Sequence, residues 1–183
     1  MSGLGPVMLM VLAAANPAAG ALSLAWRPSN RDRWRPRVML AIAAAVGALW
    51  VIAALAEPIL DALSVTTGTW RLATAVPFAV AGLRWMVWPA RPVNDEPRAG
   101  AQVALIALTV LFTPQLVAVT LATAAQDGTG RTMAGVVLAA VATAALLWFR
   151  STPTPLLAAL ARLLGGIAVV LAITLGVDGT QTI

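Results

Sequence analysis

The chain has 183 residues, of which 60% are hydrophobic and only 10% charged, with a mean hydropathy of +0.88. A water-soluble domain carries about 25% charged residues, so this chain lacks the polar surface that water demands and reads as a polytopic, all-α membrane protein. All twelve basic residues are arginine, and lysine, histidine, cysteine and tyrosine are absent, which excludes Schiff-base, thiolate and the usual zinc and haem chemistry.

No cofactor or metal site is therefore expected. The net charge of +5 sits in short loops between apolar segments. No basic stripe interleaved with exposed aromatics is present, so nucleic acid is excluded as a partner.

Six apolar segments follow in chain order, each near the roughly 20 residues that span a bilayer. They cover residues 4–25, 38–56, 70–88, 101–124, 133–149 and 155–177. The first is rich in small residues, as a signal peptide is. No basic residue precedes it, however, and Arg27, Arg31, Arg33, Arg35 and Arg37 follow it. That layout reverses a signal peptide's and predicts a retained helix.

Arginine placement orients the segments. The loops after the first, third and fifth segments, with their flanks, hold ten of the twelve arginines; the opposite side has only Arg71 and Arg131. Both termini are thus expected outside the cytoplasm. The opposite side instead carries Glu57, Asp61, Asp127 and Asp178. Trp26, Trp34, Trp85, Trp88 and Trp148 fall near the inner interface and Trp70 near the outer one.

The polar stretch 90–100 divides the chain into a first half, 1–89, and a second, 101–183. Three segments is an odd number, so the second half enters the membrane from the other side. A 3+3 inverted repeat is the expected architecture. Its main sign is a pair of proline breaks. Asn16-Pro17 interrupts the first segment and Thr113-Pro114 the fourth. Proline inside a helix removes a hydrogen bond and clashes with the preceding turn, at about 3 kcal/mol or more. In a bilayer the freed groups need protein or a polar cavity to satisfy them. Matched breaks in two halves are the pattern of a transporter site at a repeat interface. Arg71-Leu72 and Arg162-Leu163, opening the third and sixth segments, suggest a second correspondence.

Asn16 and Gln115 weigh most among polar residues at membrane depth, because an unpartnered amide in hydrocarbon is costly. Asn16 can cap the half-helix that follows it. Half-helix N-termini after both breaks would favour an anionic or carbonyl group. Asn16, Pro17, Thr113, Pro114 and Gln115 are therefore the predicted substrate-binding residues. The plainer alternative is that both prolines only kink packed helices. Ala81-Gly82 and Gly165-Gly166 predict close helix packing.

The string Asp127-Gly-Thr-Gly-Arg131 is similar to the start of the lipid phosphotransferase motif that acts on CDP-alcohols. That chemistry needs further aspartates a few turns later, and none comes before Asp178. It reads as a turn, and no catalytic set can be assembled elsewhere.

Three stretches together resemble the MarC family of bacterial inner-membrane proteins, within the LysE-like exporters. They are Leu12-Ala-Ala-Ala-Asn-Pro17; Leu60-Asp-Ala-Leu-Ser-Val through Trp70-Arg-Leu-Ala to Ala81-Gly-Leu-Arg-Trp-Met-Val-Trp-Pro89; and Leu160-Ala-Arg-Leu-Leu-Gly165 through Gly176-Val-Asp-Gly179. The fourth segment departs, reading Phe112-Thr-Pro-Gln115 where the family has Thr-Gly-Pro-Gly. The resemblance implies six helices, a multi-pass place in the bacterial inner membrane and a transport role, with no substrate. The expectation is a small-molecule secondary transporter or exporter, with a non-transporting accessory membrane protein as the rival. A bundle of short, alanine-rich helices also suits a homo-oligomer.

Overall fold

The structure, a computed structural model, describes residues 3–23, 31–88, 112–148 and 154–181. The expected linker 90–100 and the first part of the fourth segment, 101–111, lie outside the described residues. Every described element is an α-helix: α1 (Leu4–Ala15), α2 (Pro17–Ser23), α3 (Arg31–Ala54), α4 (Ala56–Ala62), α5 (Thr67–Val87), α6 (Pro114–Asp127), α7 (Thr129–Trp148) and α8 (Thr154–Gln181).

Four of these spans are long and apolar enough to cross a membrane: Leu4–Ser23, Pro36–Ala54, Thr129–Trp148 and Thr154–Gln181. α5 has the length, at 21 residues, but carries Arg71 and Arg84 and is not among the four. The outward faces are apolar as well. Leu40, Val76, Val80, Leu83, Val141, Leu163, Val170 and Ile173 are all more than half exposed. A continuous apolar exterior of this kind fits lipid, not water. The short α4 was not expected from the sequence. It turns the chain between α3 and α5, with Glu57 at its exposed start.

The core is built from small residues and a few large ones. Val11, Ala13, Ala14, Phe78, Val119, Val136, Ala168 and Ala172 meet in one cluster that draws on α1, α5, α6, α7 and α8. Where lipid is the solvent, helices gain little from burying apolar area and more from close van der Waals packing. The antiparallel pair α5 and α8 shows this best. A Cβ on Gly82 would lie 2.7 Å from the Gly165 carbonyl oxygen, and one on Gly165 2.7 Å from the Gly82 oxygen. At the other end of the pair, a Cβ on Gly179 would lie 2.9 Å from the Gly68 oxygen and 2.9 Å from the Leu72 nitrogen. No side chain fits at these crossings, so the helices touch backbone to backbone. The small residues predicted to pack closely, Gly82 and Gly165, are partners of each other. Gly135 brings α7 equally close to α1, where a Cβ would stand 2.9 Å from the Val11 Cβ.

Candidate functional site

The first break forms where the sequence places it. Pro17 has no N–H to donate to the carbonyl four residues back, and its ring disfavours helical geometry in the residue before it. Asn16 takes the left-handed conformation instead, with φ 40 and ψ 71, which asparagine tolerates better than most side chains. Its backbone still serves both half-helices: Asn16 N–H donates to Leu12 O at 3.0 Å, and Asn16 O accepts from Gly20 N at 3.0 Å. Its side chain does the same. Oδ1 accepts from Ala19 N at 3.1 Å, the N-cap bond of α2. Nδ2 donates to the Ala161 carbonyl of α8 at 3.0 Å. Asn16 is wholly buried. It joins α1, α2 and α8 and presents no polar atom to an open space.

The second break is different. Thr113 is extended, with φ −91 and ψ 148, and Pro114 opens α6 at its first position, where a missing N–H costs nothing. Thr113 makes no side-chain cap, and its buried Oγ1 has no hydrogen-bond partner. This helix start is therefore less fully satisfied than the first break.

Thr113, Pro114 and Gln115 line a cavity of about 660 Å³. Its other walls are α1 and α2 around the first break (Ala15, Ala19, Gly20, Ser23) and the C-terminal half of α5 (Pro77, Val80, Ala81, Arg84, Trp85, Trp88). That size suits a small organic molecule. Three of the five predicted site residues thus face one cavity. Asn16 and Pro17 lie behind its wall, and their neighbours Ala15 and Ala19 face it. The sequence marks Arg84 only as an orienting charge, and Trp85 and Trp88 only as interface anchors. Their spacing of one and four residues places them on adjoining helix positions, but which face would meet the second half was not legible.

The far end of the same three-helix set is closed. Arg71 Nη2 of α5 donates to Asp178 Oδ2 of α8 at 2.8 Å. Arg71 is 5% exposed, and its Nε has no hydrogen-bond partner. Beside it lies a crevice of about 20 Å³ touched by Pro6 and Met10 of α1, Thr123, Gln126 and Asp127 of α6, and Arg71. Arg71 and Asp178 were assigned to the same side by charge, but their pairing across 107 residues was not. Between cavity and crevice runs a face of α6. Thr113 lines the cavity and Thr123 the crevice. Between them Thr120 is fully buried with an unpartnered hydroxyl. Thr74 on α5 is buried and unpartnered too.

Comparison with known proteins finds no matching family model, no matching curated protein and no matching solved structure. The geometry of the chain itself carries the functional reading.

Proposed function

We propose that this protein is a small-molecule secondary transporter, an exporter in the bacterial inner membrane, whose site is the 660 Å³ cavity walled by the second proline break. The observation that carries this reading is the meeting of Thr113, Pro114 and Gln115 with the neighbours of Asn16 around one space. Buried hydroxyls at Thr113, Thr120 and Thr74, without partners in the protein, are groups that a passing solute or water would satisfy.

The 3+3 inverted repeat is part of the same proposal. Its support is a constant register: Pro17 and Pro114, Gly68 and Gly165, Leu72 and Val169, and Gly82 and Gly179 are each 97 positions apart. The contacts follow that register. Gly82 lies against the Gly165 oxygen and the Val169 nitrogen, and Gly179 against the Gly68 oxygen and the Leu72 nitrogen. A two-fold axis in the membrane plane exchanges these two crossings. In this register Arg71 corresponds to Ala168, so Arg71-Leu72 and Arg162-Leu163 are not equivalent. α5 and the fourth segment would complete six spans, with the cavity end cytoplasmic by the arginine count. The MarC-like motifs point the same way.

The rival is an accessory membrane protein in which the breaks are structural, and the hydrogen bonding of Asn16 favours it at the first break only. Export is tested by comparing metabolites inside and outside cells that express wild type, Gln115→Trp or nothing, at matched membrane protein levels. A compound class that leaves wild-type cells alone supports transport through the cavity. Three identical profiles sink the reading for abundant metabolites and favour the accessory role.

A further inference from the structure

Among the described residues, the cavity has one charge in its wall and no opposite charge beside it. Arg84 is, among the described residues, the only ionisable one that lines it, and no aspartate or glutamate does. The guanidinium makes no ion pair with a described residue; the ion pair in the described part of the chain is Arg71–Asp178, at the closed end. Arg84 sits in the last turn of α5, where a cation is favoured by the helix dipole. That accounts for an arginine at this height but not for its facing a cavity of about 660 Å³.

The groups around it sort into two kinds. Gln115 and the unpartnered Thr113 hydroxyl stand on the α6 side, where the helix begins and its exposed N–H groups add positive potential of the same sign as Arg84. Trp85, Trp88, Pro77 and Val80 supply an apolar wall on the α5 side. Indole faces accept flat or aliphatic bodies, and guanidinium forks hold planar carboxylates or phosphates by two parallel hydrogen bonds. A cationic solute would meet Arg84 with no carboxylate among the described lining residues to compensate. A neutral one would make no use of the guanidinium's charge.

We infer that the cavity binds amphipathic organic anions, a carboxylate or phosphate at Arg84 with an apolar or aromatic body against Trp85 and Trp88. This rests on the transporter reading and narrows it to a substrate class. The same chemistry is offered by a free metabolite and by an anionic lipid headgroup, since Arg84 and Trp88 are exposed at the edge of the cavity.

The test uses the full chain in nanodiscs and three probes that share one ring system: 2-naphthoate, 2-naphthol and 2-naphthylmethylammonium. Binding is measured by titration and corrected against empty discs. In phosphatidylcholine discs 2-naphthoate should bind at least about tenfold tighter than the other two, the discrimination that one charge-assisted contact gives. Arg84→Gln should remove that preference, and Arg84→Lys should restore part of it. Each variant is first checked for a single symmetric elution peak and an unchanged melting temperature. Discs containing phosphatidylglycerol separate the two sources. If they weaken 2-naphthoate binding and Arg84→Gln abolishes the weakening, the anion is a lipid; if affinity is unchanged, it is a soluble solute. Equal or tighter binding of 2-naphthol or of the ammonium probe overturns the substrate class and leaves the cavity as a site. Binding of no probe above empty discs overturns both the class and the cavity's role in transport.

Discussion

At one end of the α5–α8 pair, Gly82 lies against Gly165 beside the large cavity; at the other, Gly179 lies against Gly68 and the space has closed to a crevice of about 20 Å³. The backbone crossings are nearly the same, with closest Cβ approaches of 2.7 and 2.9 Å. What differs is the pair of side chains next to them. The closed end has Arg71 bonded to Asp178 at 2.8 Å. In the proposed repeat, with its register of 97 positions, those residues would correspond to Ala168 and Ala81, and Ala81 lines the cavity. Two alanines add no polar bond to the backbone contact. An ion pair in low dielectric, with one partner buried, does. The comparison teaches that the glycines bring the two helices equally close at both ends, while the charged pair is found beside the crevice alone.

That account can be broken at several points, the most damaging first. Gly165→Val should cost about 3 kcal/mol or more through overpacking against the Gly82 oxygen. It should appear as a fall of roughly 10 °C in the melting temperature in mild detergent. A variant that melts like wild type would mean the crossing is not tight.

Asp178→Asn leaves Arg71 as a buried cation without its partner. A loss of about 2 kcal/mol is expected, less than for a fully buried pair because Asp178 is 30% exposed. The sharper readout is access. The chain has no cysteine, so Gln126→Cys reports on the crevice alone. Its maleimide labelling should rise several-fold in the Asp178→Asn background, whereas a cysteine at Ala81, on the cavity, should be labelled readily in both. Unchanged labelling at Gln126→Cys would remove the ion pair as the lock.

Asn16→Ala removes the cap of α2 and the bond that ties it to the Ala161 carbonyl of α8, at about 1 kcal/mol for each. The expected result is a lower melting temperature and lower abundance, with the cavity's lining unchanged. Asn16→Asp keeps the cap acceptor, loses the donor to Ala161, and should fall between. Normal stability with lost binding would instead place Asn16 in the site.

The smallest effect is expected at Gly47→Ala. A Cβ there has nothing within 4 Å, so alanine should stabilise α3 by about 0.5 kcal/mol through backbone entropy alone. Destabilisation would point to a surface of α3 that is covered in the assembled protein.

Much of the scaffold was legible in the linear pattern. Apolar runs of bilayer length predicted helices at the positions where α1–α2, α3, α5, α7 and α8 stand, with bounds that moved by a few residues. Proline chemistry is local, so the break at Pro17, the helix start at Pro114 and the capping role of Asn16 followed from neighbours in sequence. The exclusion of histidine and cysteine chemistry needed no structure at all.

Which of the marked residues share a space was decided by tertiary packing. Thr113 and Gln115 reach the cavity while Asn16 turns its amide to Ala161 of α8. That choice depends on a helix 145 residues away, and no local rule encodes it. Arg71 and Asp178 looked like separate outer-edge charges, because a sequence assigns residues to a side of the membrane but not to partners within it. The same holds for Gly82 and Gly165. Composition called for close packing, and only the antiparallel docking of α5 on α8 fixed which glycine meets which. Sequence periodicity determines the elements; long-range contact, made where a missing Cβ or an opposite charge allows it, determines the cavity and the closed end.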